Sequence, residues 1–284
     1  MKCFYHSADL DGHCSGALIK REYPECEMIG IDYQDSFPWD SINENEMVFM
    51  VDFSLQPFHD MEKLDTICDL IWIDHHVSAI KESKKINGHP AICGLTRVGI
   101  GACALVWEYL YPTKRIPLFV QLLAEYDVWD HSNPYTLPFQ YGMRLISYTS
   151  PENQILWGSL FNSAYVSDIV NEGKTVLKYQ RIENEKYTKA MGFNCILDGY
   201  RCIAVNRGLT NSKLFDSVWD PEKYDIMLTF CMASPEKGWK ISLYTDKPDI
   251  DVSEIAKKYG GGGHKGAAGF MMKDIKWGEE IIIR

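Results

Sequence analysis

The sequence predicts an α/β protein with two domains: an N-terminal one built on a parallel sheet and a smaller C-terminal α/β one, joined by a helical connector. Short apolar runs alternate with helix candidates over the first third of the chain, which is typical of a largely parallel sheet. A long, charged, helical pattern comes later, and beyond it the alternation changes character. The predicted boundaries are residues 1–162, 163–190 and 191–284.

Strand and helix candidates follow one another along the N-terminal part. Each apolar run has the length of a strand, and the segments between the runs are long enough for helices. The strand candidates are residues 3–5, 27–31, 47–51 and 70–73, and the helix candidates are 13–22, 57–65, 102–110 and 117–127, with a loop at 88–90.

The C-terminal part begins after the connector, whose helical pattern is weakened at Gly173. Strands are predicted at 202–205, 226–231 and 240–244, and a helix at 251–259. That helix ends immediately before four consecutive glycines.

The bulk composition argues against several classes of protein. The 284 residues are 46% apolar and 24% charged, which is ordinary for a globular protein with room for two cores. A net charge of −10 argues against long duplex nucleic acid as a partner. The nine cysteines include no C-x-x-C pair, which argues against a disulfide framework or a zinc ribbon. Without a signal-peptide pattern or an apolar run of the roughly 18–20 residues that a membrane helix needs, we expect a cytoplasmic protein with no membrane partner.

The first polar cluster follows the first strand candidate. His6, Asp9 and Asp11 precede Gly12, whose lack of a side chain permits a tight strand-to-helix turn. Carboxylates combined with imidazole suit Mn²⁺ or Mg²⁺ better than a structural zinc ion. The alternative is that one aspartate merely caps the helix that starts near His13.

Asp52 ends the third strand candidate. We expect it at the same edge of the sheet as the first cluster, because the carboxyl ends of parallel strands share one edge. Alone, such an aspartate is more often a cap or turn residue. Beside the first cluster, its carboxylate could bridge two cations held roughly 3.5–4 Å apart.

Asp74, His75 and His76 follow the apolar run Ile-Trp-Ile without a gap. This is the pattern of a buried strand that delivers ligands at its carboxyl end. Neighbouring residues of an extended chain point to opposite sides. We therefore expect one histidine to bind metal and the other to contact the substrate.

A fourth acidic position is predicted at the end of the helix at 117–127. Asp127 is the candidate, with Glu125 and Asp130 as competitors. The alternative is that these carboxylates are surface charges or pair with Arg144.

The four glycines before His264 and Lys265 predict a backbone-exposing loop, whose N–H groups can bind an anion. A flexible linker is the alternative, and the small residues that resume at Gly266 argue against it. Arg97, in a glycine-containing loop, could also approach a phosphate. The candidate substrate contacts are therefore Gly261, Gly262, Gly263, His264, Lys265 and Arg97, together with His76.

These motifs together resemble the DHH phosphoesterases that carry a C-terminal DHHA1 domain. Within that superfamily the chain is most similar to the nanoRNase B-type oligoribonucleases of bacteria and their phage-borne relatives. The resemblance covers nearly the whole chain, with the motifs in order from residue 6 to residue 270. Each motif is weak by itself, and four in the correct order are specific. The resemblance implies a DHH catalytic domain over 1–162 and a DHHA1 substrate-binding domain over 191–284.

The resemblance also implies roles for the candidate residues. Asp74 and His76 would be catalytic, with His76 facing the substrate phosphate. Asp127 is favoured over its neighbours because Tyr-Asp-Val-Trp resembles the Arg-Asp-Leu-Trp stretch of such relatives. At Tyr244 the sequence departs from the family, whose exonucleases commonly carry arginine there. The implied ligands of one Mn²⁺ are His6, Asp9 and Asp52, and those of a second are Asp11, Asp52, His75 and Asp127, with Asp52 bridging.

The implied function is a Mn²⁺-dependent phosphodiesterase that hydrolyses short oligoribonucleotides to mononucleotides by two-metal catalysis, with Mg²⁺ or Co²⁺ as alternative cations. One alternative substrate class is cyclic dinucleotides, their linear products or 3′-phosphoadenosine 5′-phosphate. Another alternative is a nucleotide-binding module without catalysis. The expected partner is short single-stranded RNA or a small nucleotide, and a homodimer is compatible with the sequence.

Overall fold

A computed structural model describes residues 1–84, 92–275 and 281–283. The loop predicted at 88–90 lies outside the described residues. The chain divides into two compact units, Met1–Leu177 and Lys178–Arg284. The predicted fold class is confirmed, with a parallel sheet in the first unit, a mixed sheet in the second and a long helix that joins them.

In the described part of the first unit, five strands form an all-parallel sheet in the order β2-β1-β3-β4-β5. Strand β1 therefore lies between β2 and β3, and the direction of winding reverses between β1 and β3. In open α/β sheets, ligands bind outside the carboxyl ends of the strands at such a switch point. The strands are β1 Lys2–His6, β2 Glu27–Ile31, β3 Met47–Val51, β4 Asp69–Asp74 and β5 Cys93–Thr96.

Helices cover both faces of this sheet, as the alternation along β3 shows. Phe49 and Val51 belong to one core with residues of α1, α4 and α5, whereas Val48 and Met50 belong to another with residues of α2 and α3. Because successive side chains of a strand point to opposite faces, one apolar strand serves both cores. The helices are α1 Leu10–Glu22, α2 His59–Ile67, α3 Val77–Ser83, α4 Ala102–Leu110, α5 Leu118–Asp127, α6 Thr136–Met143 and α7 Gln154–Ser159.

The connector is one continuous helix, α8 Ser163–Met191, which matches the prediction of 163–190 to within a residue. The two compact units divide inside it, between Leu177 and Lys178. Gly173 is required by packing, because a Cβ there would lie 1.7 Å from the carbonyl oxygen of Pro138.

The described residues of the second unit form a seven-stranded sheet in the order β10-β11-β9-β8-β7-β6-β12. Within it, β7 and β8 pair in parallel and the other pairs are antiparallel. The elements are β6 Gly192–Leu197, β7 Tyr200–Asn206, β8 Ile226–Ser234, β9 Gly238–Tyr244, α9 Val252–Lys258, β10 Gly262–His264, β11 Ala267–Met272 and β12 Ile281–Ile283.

Membrane insertion by a helix finds no support in the described residues. None of the helices there has both the length and the apolar character needed to cross a bilayer.

Candidate active site

The carboxyl ends of three neighbouring strands carry the core of the candidate site. His6 ends β1, Asp52 directly follows β3, and Asp74 ends β4. Since these strands are adjacent in the sheet, the three side chains meet at the β1–β3 switch point and beside it.

His6, Asp9 and Asp52 form one group whose ligand atoms lie within 4.8 Å of one another. His6 Nδ1 is 3.1 Å from Asp9 Oδ2 and 3.6 Å from Asp52 Oδ2. Asp9 also caps α1, because its carboxylate accepts the Gly12 N–H at 2.9 Å. The cap that was predicted as the alternative is therefore present, and it leaves Asp9 Oδ2 facing His6. The cap also explains why α1 begins at Leu10 rather than near residue 13.

The tight turn depends on Gly12. A Cβ at this position would lie 2.0 Å from the carbonyl oxygen of His6. Glycine thus lets the start of α1 approach the end of β1 closely enough to bring Asp9 and His6 together.

Asp11, His75 and Asp127 form a second group. His75 Nε2 lies 3.0 Å from Asp127 Oδ2. Asp11 is buried inside α1 and accepts the N–H groups of Ala102 at 2.6 Å and Cys103 at 3.0 Å. This contact with the start of α4 was not predicted from the sequence. A signal was available, because α4 begins after glycine and has no capping side chain of its own.

Asp52 lies between the two groups. Its Oδ1 faces His75 Nε2 at 3.3 Å and its Oδ2 faces His6 Nδ1 at 3.6 Å. The residue is 1% exposed, and neither oxygen accepts a hydrogen bond. Its backbone has a φ of 56°, a left-handed conformation that is uncommon for a non-glycine residue and concentrates at functional sites. A bridge between two cations would satisfy both orphaned oxygens.

Asp74 holds His76 and also belongs to a third group of candidate ligands, with Asp52, His75 and His76. Its Oδ1 accepts the backbone N–H groups of His75 and His76 and lies 2.7 Å from His76 Nδ1. Burial acts to raise the pKa of Asp74, but the hydrogen bond with His76 outweighs it and the pKa is lowered. Asp74 is therefore an anion, and its carboxylate positions the ring of His76.

The expectation that the two histidines point to opposite sides is wrong. Their ring centroids lie 4.6 Å apart, because the strand ends at Asp74 and its alternation does not continue. Their partners nevertheless differ, since His75 faces Asp52 and Asp127 whereas His76 is bonded to Asp74.

The titration behaviour of the site reflects carboxylates crowded in a buried space. Burial is the main cause that raises the pKa of Asp11 to about 7 and that of Asp127 to about 7. For His6 and His75, burial acts to lower the pKa, but the nearby carboxylates, Asp52 first among them, outweigh it and raise both to about 10. Bound cations would take over the role of those imidazolium protons.

The donor set fits divalent cations. It consists of carboxylate oxygens and imidazole nitrogens, which suit Mn²⁺ or Mg²⁺. Within residues 1–84 and 92–275, no lysine or arginine forms an ion pair with the five aspartates of the site. Among the described side chains the negative charge there is balanced by imidazole. The two groups of three ligands are linked by the third group, which contains both Asp52 and His75, and together they offer room for two cations.

Asp127 is the acidic residue that reaches the site from the end of α5. Glu125 instead bonds Gln121 and Thr136, and Asp130 accepts the N–H of Ser132. The alternative pairing with Arg144 is not seen, because that guanidinium donates to the Tyr126 hydroxyl at 2.9 Å.

Arg97 does not aim at the site as predicted. Its backbone N–H donates to the carbonyl of Asp74 at 3.2 Å, but its guanidinium pairs with Glu108 of α4, with Nη1 3.2 Å from Oε1. A role in substrate binding would require that pair to break.

The prediction that the four glycines form a loop is wrong for most of the segment. Gly260, with a φ of 76°, ends α9, and its N–H donates to the carbonyl of Lys257 at 3.0 Å. Strand β10 follows at once and pairs with β11. A Cβ at Gly263 would lie 2.5 Å from the Ala268 Cα, whereas a Cβ at Gly262 would meet nothing within 4 Å. Packing therefore requires Gly263 and leaves open space at Gly262.

The remaining positions of the predicted substrate loop lie in the same hairpin. His264 ends β10 opposite Ala267, and Lys265 follows it with an exposed side chain. A Cβ at Gly261 would lie 2.1 Å from the Gly269 carbonyl oxygen. Nearby, Tyr244 replaces the family arginine and donates its hydroxyl to the carbonyl of Thr210 at 3.1 Å.

Comparison with protein families assigns the C-terminal unit. Residues 216–282 match the DHHA1 domain family. The chain carries a DHHA1 domain. This domain spans β8, β9, α9, β10 and β11, the elements that hold the glycine segment. The resemblance inferred from the motifs is confirmed at this level.

Two curated relatives match most of the chain. An uncharacterized protein, R106, of Acanthamoeba polyphaga mimivirus is 28% identical over 247 residues, which cover 82% of this chain and 54% of that protein. Oligoribonuclease NrnB of Bacillus subtilis strain 168 is 25% identical over 219 residues, which cover 71% of this chain and 52% of that protein. The chain thus spans about half the length of the curated relatives it matches.

Solved structures share the fold over nearly the whole chain. A pGpG-specific phosphodiesterase, PggH, from Vibrio cholerae superposes with a TM-score of 0.57 at 14% identity, covering 95% of this chain and 92% of that one. An exopolyphosphatase-related protein from Bacteroides fragilis gives a TM-score of 0.51 at 14% identity, covering 96% and 87%. These likenesses show a common fold.

Proposed function

We propose that this protein is a phosphodiesterase that hydrolyses short oligoribonucleotides to mononucleotides with two divalent cations, of which Mn²⁺ is our first choice. The observation that carries the proposal is the position of Asp52. Its two buried oxygens, which accept no hydrogen bond, each face one imidazole of a separate ligand group. A bridging carboxylate of this kind is the central element of a two-metal site.

The residues divide into ligands and groups that position them. His6, Asp9 and Asp52 would hold one cation, and Asp11, Asp52, His75 and Asp127 the other, with Asp11 oriented by the first N–H groups of α4. When bound, such cations lower the pKa of water and neutralise charge that develops on the phosphate.

His76 is the proposed contact to the substrate phosphate. Asp74 holds its Nδ1 at 2.7 Å and lies 0% exposed behind it, so the ring orientation is fixed before substrate arrives. The opposite ring nitrogen, Nε2, is the atom that would donate to a phosphate oxygen. Asp74 thus orients His76 through Oδ1, and its buried Oδ2, which accepts no hydrogen bond, would be available to a cation beside Asp52.

The substrate class is supported by three features. The curated relative from Bacillus subtilis is named an oligoribonuclease, and the same fold carries a pGpG-specific phosphodiesterase in Vibrio cholerae. The DHHA1 domain supplies open space at Gly262, where a backbone N–H group could approach an anion. A net charge of −10 favours a short substrate held by cations over a long polyanion held by side chains.

The test is a time course on a 5′-labelled pentaribonucleotide with Mn²⁺, comparing wild type with His75→Ala and His59→Ala. His59 provides the matched control, because its imidazole is 69% exposed on α2 and belongs to neither ligand group. We expect wild type and His59→Ala to shorten the RNA equally and His75→Ala to leave it intact. A ladder that shortens from the 3′ end, or early release of labelled mononucleotide, then gives the polarity.

Other substrates are included as parallel reactions. Cleavage of cyclic dinucleotides, linear dinucleotides or 3′-phosphoadenosine 5′-phosphate in preference to the pentaribonucleotide would keep the phosphodiesterase and change its substrate. Tight nucleotide binding without turnover of any of them would replace the enzyme by a binding module.

A further inference from the structure

Trp129 occupies a backbone conformation that does not suit a bulky residue. Its φ is 60°, in the left-handed region that favours glycine, and its side chain is 47% exposed. Burial in the core therefore does not explain why an indole stands at this position.

The local geometry makes the mismatch sharper. Trp129 donates its N–H to the carbonyl of Tyr126 at 3.0 Å, and Asp130 donates to the carbonyl of Glu125 at 2.8 Å. This pair of bonds is the Schellman motif that ends a helix, and Trp129 stands at the motif position where glycine is most common. A glycine would satisfy the same backbone bonds without steric strain.

The same helix end delivers Asp127 to the ligand groups. Trp129 follows two residues later, so its Cα lies within about 7 Å of the Asp127 Cα. The base of a nucleotide lies at a comparable distance from its own phosphorus. Trp129 therefore stands close enough to Asp127 for its exposed indole to reach the base of a nucleotide whose phosphate is bound at the proposed reaction centre.

Trp129 also packs against other rings. The imidazole of His131 lies 4.4 Å from it and the ring of Tyr126 5.6 Å, between centroids. The guanidinium of Arg144 lies 5.6 Å from the Tyr126 ring centroid. No carboxylate pairs with Arg144 among residues 1–84 and 92–275, which leaves its positive charge available near this aromatic cluster. Such a combination of aromatic faces and a cation is what bound single-stranded nucleotides use.

We infer that Trp129 is the stacking platform for the nucleobase next to the phosphate that the enzyme attacks. This inference deepens the proposed function and rests on it. Stacking accepts every base because each has a π face, so the platform would give affinity for nucleotides without selecting one base. Aromatic residues provide this contact at a small cost in side-chain entropy.

The experiment compares the binding of adenosine 5′-monophosphate and ribose 5-phosphate to the Mn²⁺-loaded full chain by calorimetry. The two ligands share sugar and phosphate and differ in the base, and neither needs to be cleaved. We expect wild type to bind the nucleotide about tenfold more tightly than the sugar phosphate, which is within the range of one base–aromatic stack. Trp129→Gly should bind both ligands with the sugar-phosphate affinity, and Trp129→Phe should keep most of the preference.

Asn45→Gly is the matched control. Asn45 also has a left-handed backbone, with a φ of 56°, but it is exposed before β3, at the opposite end of the sheet from the ligand groups. Its replacement should leave both affinities unchanged. Thermal melting should show Trp129→Gly to be at least as stable as wild type, because glycine suits the position.

The outcomes separate the inference from the function it rests on. Equal affinity of wild type for the two ligands would overturn the stacking platform, and so would an equal loss of both affinities in Trp129→Gly. Neither outcome bears on the enzyme activity, which the RNA cleavage assay tests separately. Base-dependent binding through Trp129 in a protein that leaves RNA intact would support the platform and refute the oligoribonuclease.

Discussion

Strand β3 has a carboxylate at each end, and the fold surrounds the two with opposite chemistry. Glu46, just before the strand, bonds Lys2 Nζ at 2.9 Å and the N-terminal amine at 2.7 Å. Burial acts to raise its pKa, but these bonds outweigh it and lower the pKa of Glu46 to about 2. Asp52, just after the strand, is fully buried, and burial is the main cause that raises its pKa.

The contrast separates a carboxylate that stabilises the fold from one that is kept for a ligand. Glu46 has cationic partners supplied by the chain, so its charge favours the folded state. Asp52 has imidazoles and other carboxylates around it, so its charge disfavours the folded state until a cation binds. The first arrangement predicts loss of stability on mutation, and the second predicts loss of activity.

The largest expected effect is that of Asp52→Asn, which keeps the size of the side chain and removes its charge. We expect kcat/KM on the pentaribonucleotide to fall by about 10³-fold or more, because a bridging ligand supports both cations. The melting temperature of the metal-free protein should stay the same or rise, since repulsion among buried carboxylates is relieved. A protein that melts lower and retains activity would make Asp52 a structural residue like Glu46.

The next effect sharpens the assignment of the acidic position on α5. Asp127→Asn should lower kcat/KM by at least about 10²-fold, because loss of a direct ligand should cost no less than loss of a partner that orients one. Asp130→Asn, three residues away, removes a carboxylate that faces Ser132 and should leave kcat/KM unchanged. Steady-state kinetics on the two variants make the comparison, and equal losses would contradict the assignment.

Cation binding should stabilise the fold, because it compensates the buried negative charge of Asp52. Thermal or urea unfolding with Mn²⁺ at about 100 times its dissociation constant should show a gain of about 2.7 kcal/mol for each occupied cation site over protein in EDTA. Glu46→Gln should keep this gain, whereas Asp52→Asn should lose most of it. A gain that survives in Asp52→Asn would place the cation elsewhere.

The smallest effect concerns the other end of the strand. Glu46→Gln should lower the free energy of unfolding by about 1–2 kcal/mol at pH 7. The folded-state pKa of about 2 lies below the ordinary 4.5, so this stabilisation is present above pH 4.5 and is lost as the pH falls towards 2. Urea unfolding of wild type and Glu46→Gln between pH 7 and pH 2 measures this stabilisation. A difference in the free energy of unfolding that persists undiminished at pH 2 would show that it has another cause.

The sequence predicted the elements whose patterns are local and strong. Strands β1 to β4 and the connector α8 appear within one or two residues of their predicted positions, because apolar runs and long helical periodicity need no tertiary information. Strand β5 was missed because it has four residues and contains Gly94 at a φ of 136°. Helix α6 was missed because Pro138 interrupts its pattern.

The glycine segment shows the limit of composition as evidence. Four glycines in a row are typical of a loop, yet β10 begins at Gly262 and pairs with β11. Close approach of the two strands requires glycine at Gly261 and Gly263, and that requirement exists only once the hairpin has formed.

By itself the sequence determined the chemistry that the site can offer. Aspartates and histidines at the ends of apolar runs must meet at one edge of a parallel sheet, because parallel strands share their direction. The tertiary structure decided which atoms face one another. It turned the two oxygens of Asp52 towards His6 and His75, joined Asp11 to the start of α4, and fixed Trp129 in its left-handed conformation. These contacts join segments far apart in the chain or depend on helix ends, so no local pattern specifies them.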